Sequence, residues 1–161
     1  IARSMIAPVI LGLVERLEGT LLQHYVQRFE EKQVVGIVFE AGQHDDPLSV
    51  NRTIAAVINY MRTIGSVSSK HIVNRHSDLL KSYADGLPKV ARLLYVHRIQ
   101  EGDQFTMVPG FANFQEVTKG TVLAHDRGGE IKAACDGMVL MPHYQSKGND
   151  GFFMIKPISG E

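Results

Sequence analysis

Val34-Val35-Gly36-Ile37-Val38-Phe39-Glu40-Ala41-Gly42-Gln43-His44 decides the fold class. A continuous apolar run that stops at a carboxylate and a Gly-containing loop reads as a strand buried on both faces, as in a parallel sheet. Upstream, residues 20–33 carry a helical pattern. Thr20 caps it, and Leu21, Leu22, Tyr25, Val26 and Phe29 form its apolar face. Downstream, Asp46-Pro47 opens a second helix, because Asp is a good N-cap and Pro suits the first helical position. Val50, Ile54, Val57, Ile58 and Met61 give that helix its expected core face, and Gly65 ends it. Residues 7–11 (Ala-Pro-Val-Ile-Leu) read as a further short buried strand. Strand, helix, strand, helix in order is the signature of an α/β layer.

Beyond Gly65 the texture changes. Residues 66–70 are small and polar, and residues 76–83 read as one short helix closed by Asp85-Gly86-Leu87-Pro88. After Val90, short apolar segments alternate with Glu101-Gly102, Pro109-Gly110, Lys119-Gly120, Gly128-Gly129, Asp136-Gly137 and Gly148-Asn149. Turn signals at that spacing predict an all-β module. Asp126-Arg127-Gly128-Gly129-Glu130 is hairpin-like. The expected organisation is residues 1–70 as part of an α/β domain, 71–90 as a linker with a short helix, and 91–161 as a β-rich, barrel- or sandwich-like domain.

Composition narrows the functional classes. Lys plus Arg and Asp plus Glu number 17 each, so the net charge is zero, and the basic excess of a typical nucleic-acid binder is absent. The single cysteine, Cys135, can form neither an intramolecular disulfide nor a cysteine-based zinc site. An unpaired thiol fits a reducing, cytoplasmic compartment. No apolar run approaches the ~20 residues of a membrane helix. The seven histidines show no convergent ligand spacing. His71 and His76, for example, lie in a polar stretch with no third partner nearby in sequence.

Glu40 is the residue most suited to chemistry. Ligands of open α/β sheets bind at the carboxyl ends of strands. A carboxylate there can serve as general base, general acid or metal ligand, and partial burial would raise its pKa toward neutrality. The bland reading is a charge that caps a strand and faces water.

The segment Gly36-Ile37-Val38-Phe39-Glu40-Ala41-Gly42-Gln43-His44 resembles the strand and loop of the succinylglutamate desuccinylase/aspartoacylase family, whose members share a zinc carboxypeptidase-like fold. Leu17-Glu18-Gly19-Thr20-Leu21 is similar as well. So are Phe105 to Phe114, Asp136 to Gln145 and Gly148 to Phe153, which resemble the family's C-terminal β domain. The resemblance implies zinc-dependent hydrolysis of an N-acyl amino acid or a related amide, with Glu40 as the general base and acid. It implies His44, Arg28 and Tyr144 as substrate contacts: His44 from the loop after Glu40, Arg28 as a carboxylate binder, Tyr144 at the cleft entrance. The family's zinc ligands, a His-x-x-Glu pair and a later histidine in an Asp-Leu-His context, have no counterpart in this chain. They are expected upstream of Ile1, in an N-terminal half of the same protein, so this portion alone is expected to be inactive. A complete, metal-free relative is the other reading. The α/β layer left incomplete would offer a sheet edge for pairing with a second copy.

Residues 117–140 also faintly resemble half of a biotinyl/lipoyl-type barrel. Met138-Val139-Leu140-Met141 lacks the exposed turn lysine that covalent cofactor attachment needs.

Overall fold

The computed structural model describes residues 1–13, 24, 36–43, 45–68, 70 and 75–158. The chain divides into two compact units. One takes Ile1–Val9 and Leu13–Lys89; the other takes Ile10–Gly12 and the chain from Val90 onward.

In the first unit a short 3-10 helix, Ala2–Met5, precedes α1 (Leu48–Thr63) and α2 (Arg75–Ala84). The start of α1 follows its sequence signals. The Asp46 carboxylate accepts a hydrogen bond from the Leu48 N–H at 2.9 Å, and Pro47 stands at the N-cap, one position before the expected first helical one. Its end follows them too. Gly65 adopts φ 76°, and the Ser66 N–H donates to the Met61 carbonyl at 2.9 Å, which satisfies a carbonyl that the helix leaves open.

The buried face of α1 is not the expected one. Ala55, Ala56 and Asn59 are buried, whereas Val50, Ile54, Val57 and Met61 are exposed. Small residues allow the close approach of other elements. Met5, Ala55, Ala56 and Leu80 form the unit's core, with Ile37, Phe39, Tyr60 and Leu79 packed against it. The strand expected over residues 34–39 is corrected as well, for its described part. Residues 36–40 carry no strand pairing, and their burial alternates: Ile37 and Phe39 are half-buried, Val38 and Glu40 exposed. This segment is covered on one side and is not covered on both faces.

The second unit is a two-sheet β structure. Its strands are β1 (Val9–Leu11), β2 (Val90–Arg98), β3 (Thr106–Met107), β4 (Gln115–Val117), β5 (Val122–Asp126), β6 (Gly129–Lys132), β7 (Gly137–Leu140) and β8 (Asp150–Pro157). One sheet has the order β1-β2-β8-β7-β4, the other β3-β5-β6. The short apolar segment at residues 7–11 therefore contributes an edge strand to this sheet, instead of a buried strand to an α/β layer. β1 meets β2 with Val9 beside Lys89 and Gly12 beside Leu93, the order of parallel strands. The pairings of β2 with β8, β7 with β8, β4 with β7, β3 with β5 and β5 with β6 are all antiparallel.

Met107, Leu123, Ala124, Val139, Phe152 and Met154 come from both sheets and form one core. The apolar face of each sheet is thereby covered by the other, as a sandwich requires. The turn glycines read from sequence are in place: Gly102, Gly110, Gly120, Gly129 and Gly148 all have positive φ. Gly137 does a different job. It opens β7, and a Cβ there would lie 2.6 Å from the Ile155 carbonyl oxygen, so the residue permits close strand packing and does not make a turn.

Candidate active site

Glu40 ends the alternating segment 36–40. Phe39 packs against the core of the first unit, and Glu40 beside it is exposed. The partial burial expected of this carboxylate is not observed.

The loop behind it is strongly held. Arg52, on the second turn of α1, donates from Nη1 to the Ala41 carbonyl at 2.9 Å and to Asp46 Oδ2 at 2.6 Å. Its guanidinium carbon lies 4.2 Å from the centre of the Tyr83 ring on α2. A planar cation stacked on an aromatic face and bonded on its edge is well suited to fix a loop. Asp46 completes the arrangement. The Leu48 N–H and then the Arg52 guanidinium hold its carboxyl below the usual range. Gly42 fits between them because it has φ 115° and no Cβ; a Cβ there would sit 2.6 Å from Arg52 Nη1. The residue that follows Glu40 is thus tied through its carbonyl to a helix.

Of the other residues picked from sequence, Arg28 and His44 lie outside the described residues. Tyr144 belongs to the second unit. Its hydroxyl accepts from the Phe111 N–H at 2.8 Å and donates to the Val108 carbonyl at 2.7 Å. The hydroxyl therefore ties down the 108–111 loop, while the side chain remains exposed.

Sequence reading passed over two features. Arg52 was not singled out; its signal was an acid at the helix start, Asp46, with an Arg less than two turns later. The second is His97 on β2. Its ring stacks on Phe152 (5.2 Å between centroids, 6° between planes) and faces Phe105 at 5.3 Å. Its Nδ1 meets the Tyr95 hydroxyl at 3.3 Å, and its buried Nε2 has no partner. Burial pushes the imidazole below its usual value, against the pull of the Asp126 and Asp103 carboxylates. Tyr95 and His97 two apart on a strand was the available clue, since alternate residues share a face.

The second unit also carries an open groove of about 670 Å³ along β4 and β7, bordered by Phe111, Glu116, Asp136 and Lys156. It contains none of Glu40, His44, Arg28 and Tyr144.

Among the described residues no group of three or more His, Cys, Asp or Glu side chains converges as a metal site would require. The described residues therefore do not fit a zinc ion. No helix among them is long and apolar enough to cross a membrane. No protein-family model, no curated protein and no solved structure matches this chain.

Proposed function

We propose that this chain supplies the proton-shuttling glutamate of a zinc-dependent amidohydrolase acting on N-acyl amino acids or related amides. The observation that carries the reading is the position of Glu40. It ends a segment of alternating burial, and the Ala41 carbonyl that follows is held by Arg52. Such a carboxylate accepts a proton from the attacking water as the water oxygen bonds to the acyl carbon. It then delivers that proton to the amine nitrogen as the C–N bond breaks, and returns to its starting state. Arg28 and His44 are assigned to substrate contact.

On the family resemblance, the metal ligands are assigned to a part of the protein outside this chain. The exposed stripe of Val50, Ile54, Val57 and Met61 on α1 suits burial against that part, since exposed apolar surface of this extent marks an interaction face. A non-catalytic binding or structural module is the second reading, and the exposure of Glu40 is the observation in its favour.

A panel of N-acyl amino acids, assayed with zinc-loaded protein that includes the residues before Ile1, separates the two. Release of the free amino acid from any member supports the hydrolase. Stoichiometric zinc with no release across the panel favours the binding module.

A further inference from the structure

The second unit carries a titratable group that the proposed hydrolysis does not use. His97 on β2 is layered between Phe152 of β8 and Phe105, which ends the segment 99–105 joining β2 to β3. Gly151 lets the layers close up. A Cβ there would lie 2.8 Å from Phe105 Cζ and 2.9 Å from His97 Cδ2, the ring carbon next to Nε2. The Nε2 edge of the imidazole is therefore covered by the Gly151 backbone and the tip of the Phe105 ring.

This cover works against a charged ring. The Tyr95 hydroxyl meets Nδ1 at 3.3 Å, so that nitrogen has a partner in either tautomer. Nε2 is buried and has none. A second proton turns both nitrogens into donors. Nδ1–H can donate to the Tyr95 oxygen, but Nε2–H has no acceptor while Phe105 stays in place. The two phenyl faces attract a cation, yet an N–H lies in the ring plane and points away from them. The ionisable groups around the ring are Asp103 on the segment, Asp126 on β5 and Asp150 on β8, the last 3.7 Å from Arg98. His143 stands across Phe105, at 6.1 Å between ring centres. Burial pushes the imidazole below its usual value, and the Asp126 and Asp103 carboxylates oppose this without reversing it.

The segment that holds Phe105 is lightly attached. The Gln100 N–H donates to Asp103 Oδ2 at 2.6 Å and closes its turn. The Ile99 N–H donates to the Asn149 carbonyl at 2.7 Å, and the Arg127 N–H to the Asp103 carbonyl at 2.8 Å. Glu101, Gly102 and Gln104 are exposed. Gln104 has φ 54°, a left-handed conformation that a residue with a Cβ holds only under strain, and release of the segment relieves it. Exposed segments with few buried contacts open locally far more often than the core does.

We propose that residues 99–105 form an acid-released strap: a proton gained at His97 lifts Phe105 off the imidazole and frees Asp103 from the turn between β5 and β6. Opening lets water accept from Nε2–H. The closed strap holds the imidazole below its ordinary value, and the open strap restores it toward about 6.5, so the opened fraction grows as pH falls below that value.

The test is amide hydrogen exchange of the full chain, followed by NMR as pH falls through the ordinary histidine range. Base-catalysed exchange slows about tenfold per pH unit, and one bound proton raises the opened fraction by up to about tenfold per unit, so the two offset. The Arg127 and Ile99 N–H groups are therefore expected to exchange at a nearly constant rate below about pH 6.5. They should also exchange at least about tenfold faster than the Met154 N–H of the central strand β8, because the strap opens without the sheet. His97→Phe keeps the stack and removes the proton, and should restore the full slowing with pH. Exchange of Arg127 no faster than Met154 would show that only global unfolding frees the segment. That result, full slowing in the parent protein, or a constant rate that persists in His97→Phe would each overturn the strap.

Discussion

Arg52 shows how much of a site can rest on one side chain. It bonds the Ala41 carbonyl, pairs with Asp46 and stacks on Tyr83, so a single planar group holds both ends of the 41–46 loop. Lysine carries the same charge without the planar fork and cannot make these contacts together. Arg52→Lys should therefore lower kcat by about tenfold with little change in KM, because Glu40 would be displaced rather than removed. Steady-state kinetics of the zinc-loaded protein check this, and an unchanged kcat would show that the loop does not position Glu40. The Asp46 carboxyl titrates below its ordinary value in the folded chain. The stability this gives is present above the ordinary carboxylate range and is lost only as pH falls through the lowered value. The clamp is thus intact at neutral and mildly acidic pH. Asp46 at the helix start was legible in the sequence, but the Tyr83 stack was not. The contact between Arg52 and Tyr83 joins two helices, and local spacing carries no information about which helices meet.

Among the elements, α1 divides cleanly into what sequence reveals and what it does not. Its start and stop were legible, because Asp46-Pro47 and Gly65 act on their own backbone. Its buried face was not. Large apolar side chains at positions 50, 54, 57 and 61 pointed to one face, whereas the unit packs on Ala55 and Ala56. Hydrophobicity locates a stripe that seeks cover, and tertiary packing decides what covers it.

Strand β2 carries a different lesson. His97 occupies an aromatic slot where a phenylalanine would satisfy the stacking and leave no orphaned nitrogen. Its folded-state pKa is depressed, so the unfolded chain takes up a proton first as pH falls. The folded unit then loses stability below the ordinary histidine value of about 6.5 and retains it above. Asp126 and Asp103 oppose the depression without reversing it. His97→Phe should flatten the decline in denaturant midpoint between neutral and mildly acidic pH, at a stability cost at neutral pH under about 1.5 kcal/mol, set by the lost Tyr95 contact. Urea melts of the two proteins across that range are the check. A decline equally steep in the variant would place its origin elsewhere.

For the whole molecule, the presence of both helix and strand was legible, and the strand-rich stretch from Val90 begins where the turn dipeptides begin. The repeated Gly turns made it so, because each constrains its own φ. The destination of Val9–Leu11 was not legible, since three apolar residues say nothing about which sheet they join. The segment before Glu40 was misread for the same reason. An apolar run cannot tell a strand covered on both faces from an unpaired segment covered on one side.

The enzymatic account in turn rests on the exposed carboxylate at position 40 moving a proton for a reaction whose metal the described residues do not hold. Glu40→Gln keeps size and hydrogen bonding and removes only that ability. Turnover of an N-acyl amino acid and bound zinc, measured on the same sample of the protein with its preceding residues, address this directly. The account predicts a loss in kcat of about 10²–10⁴-fold at unchanged zinc content, and turnover within about twofold of the parent protein would contradict it.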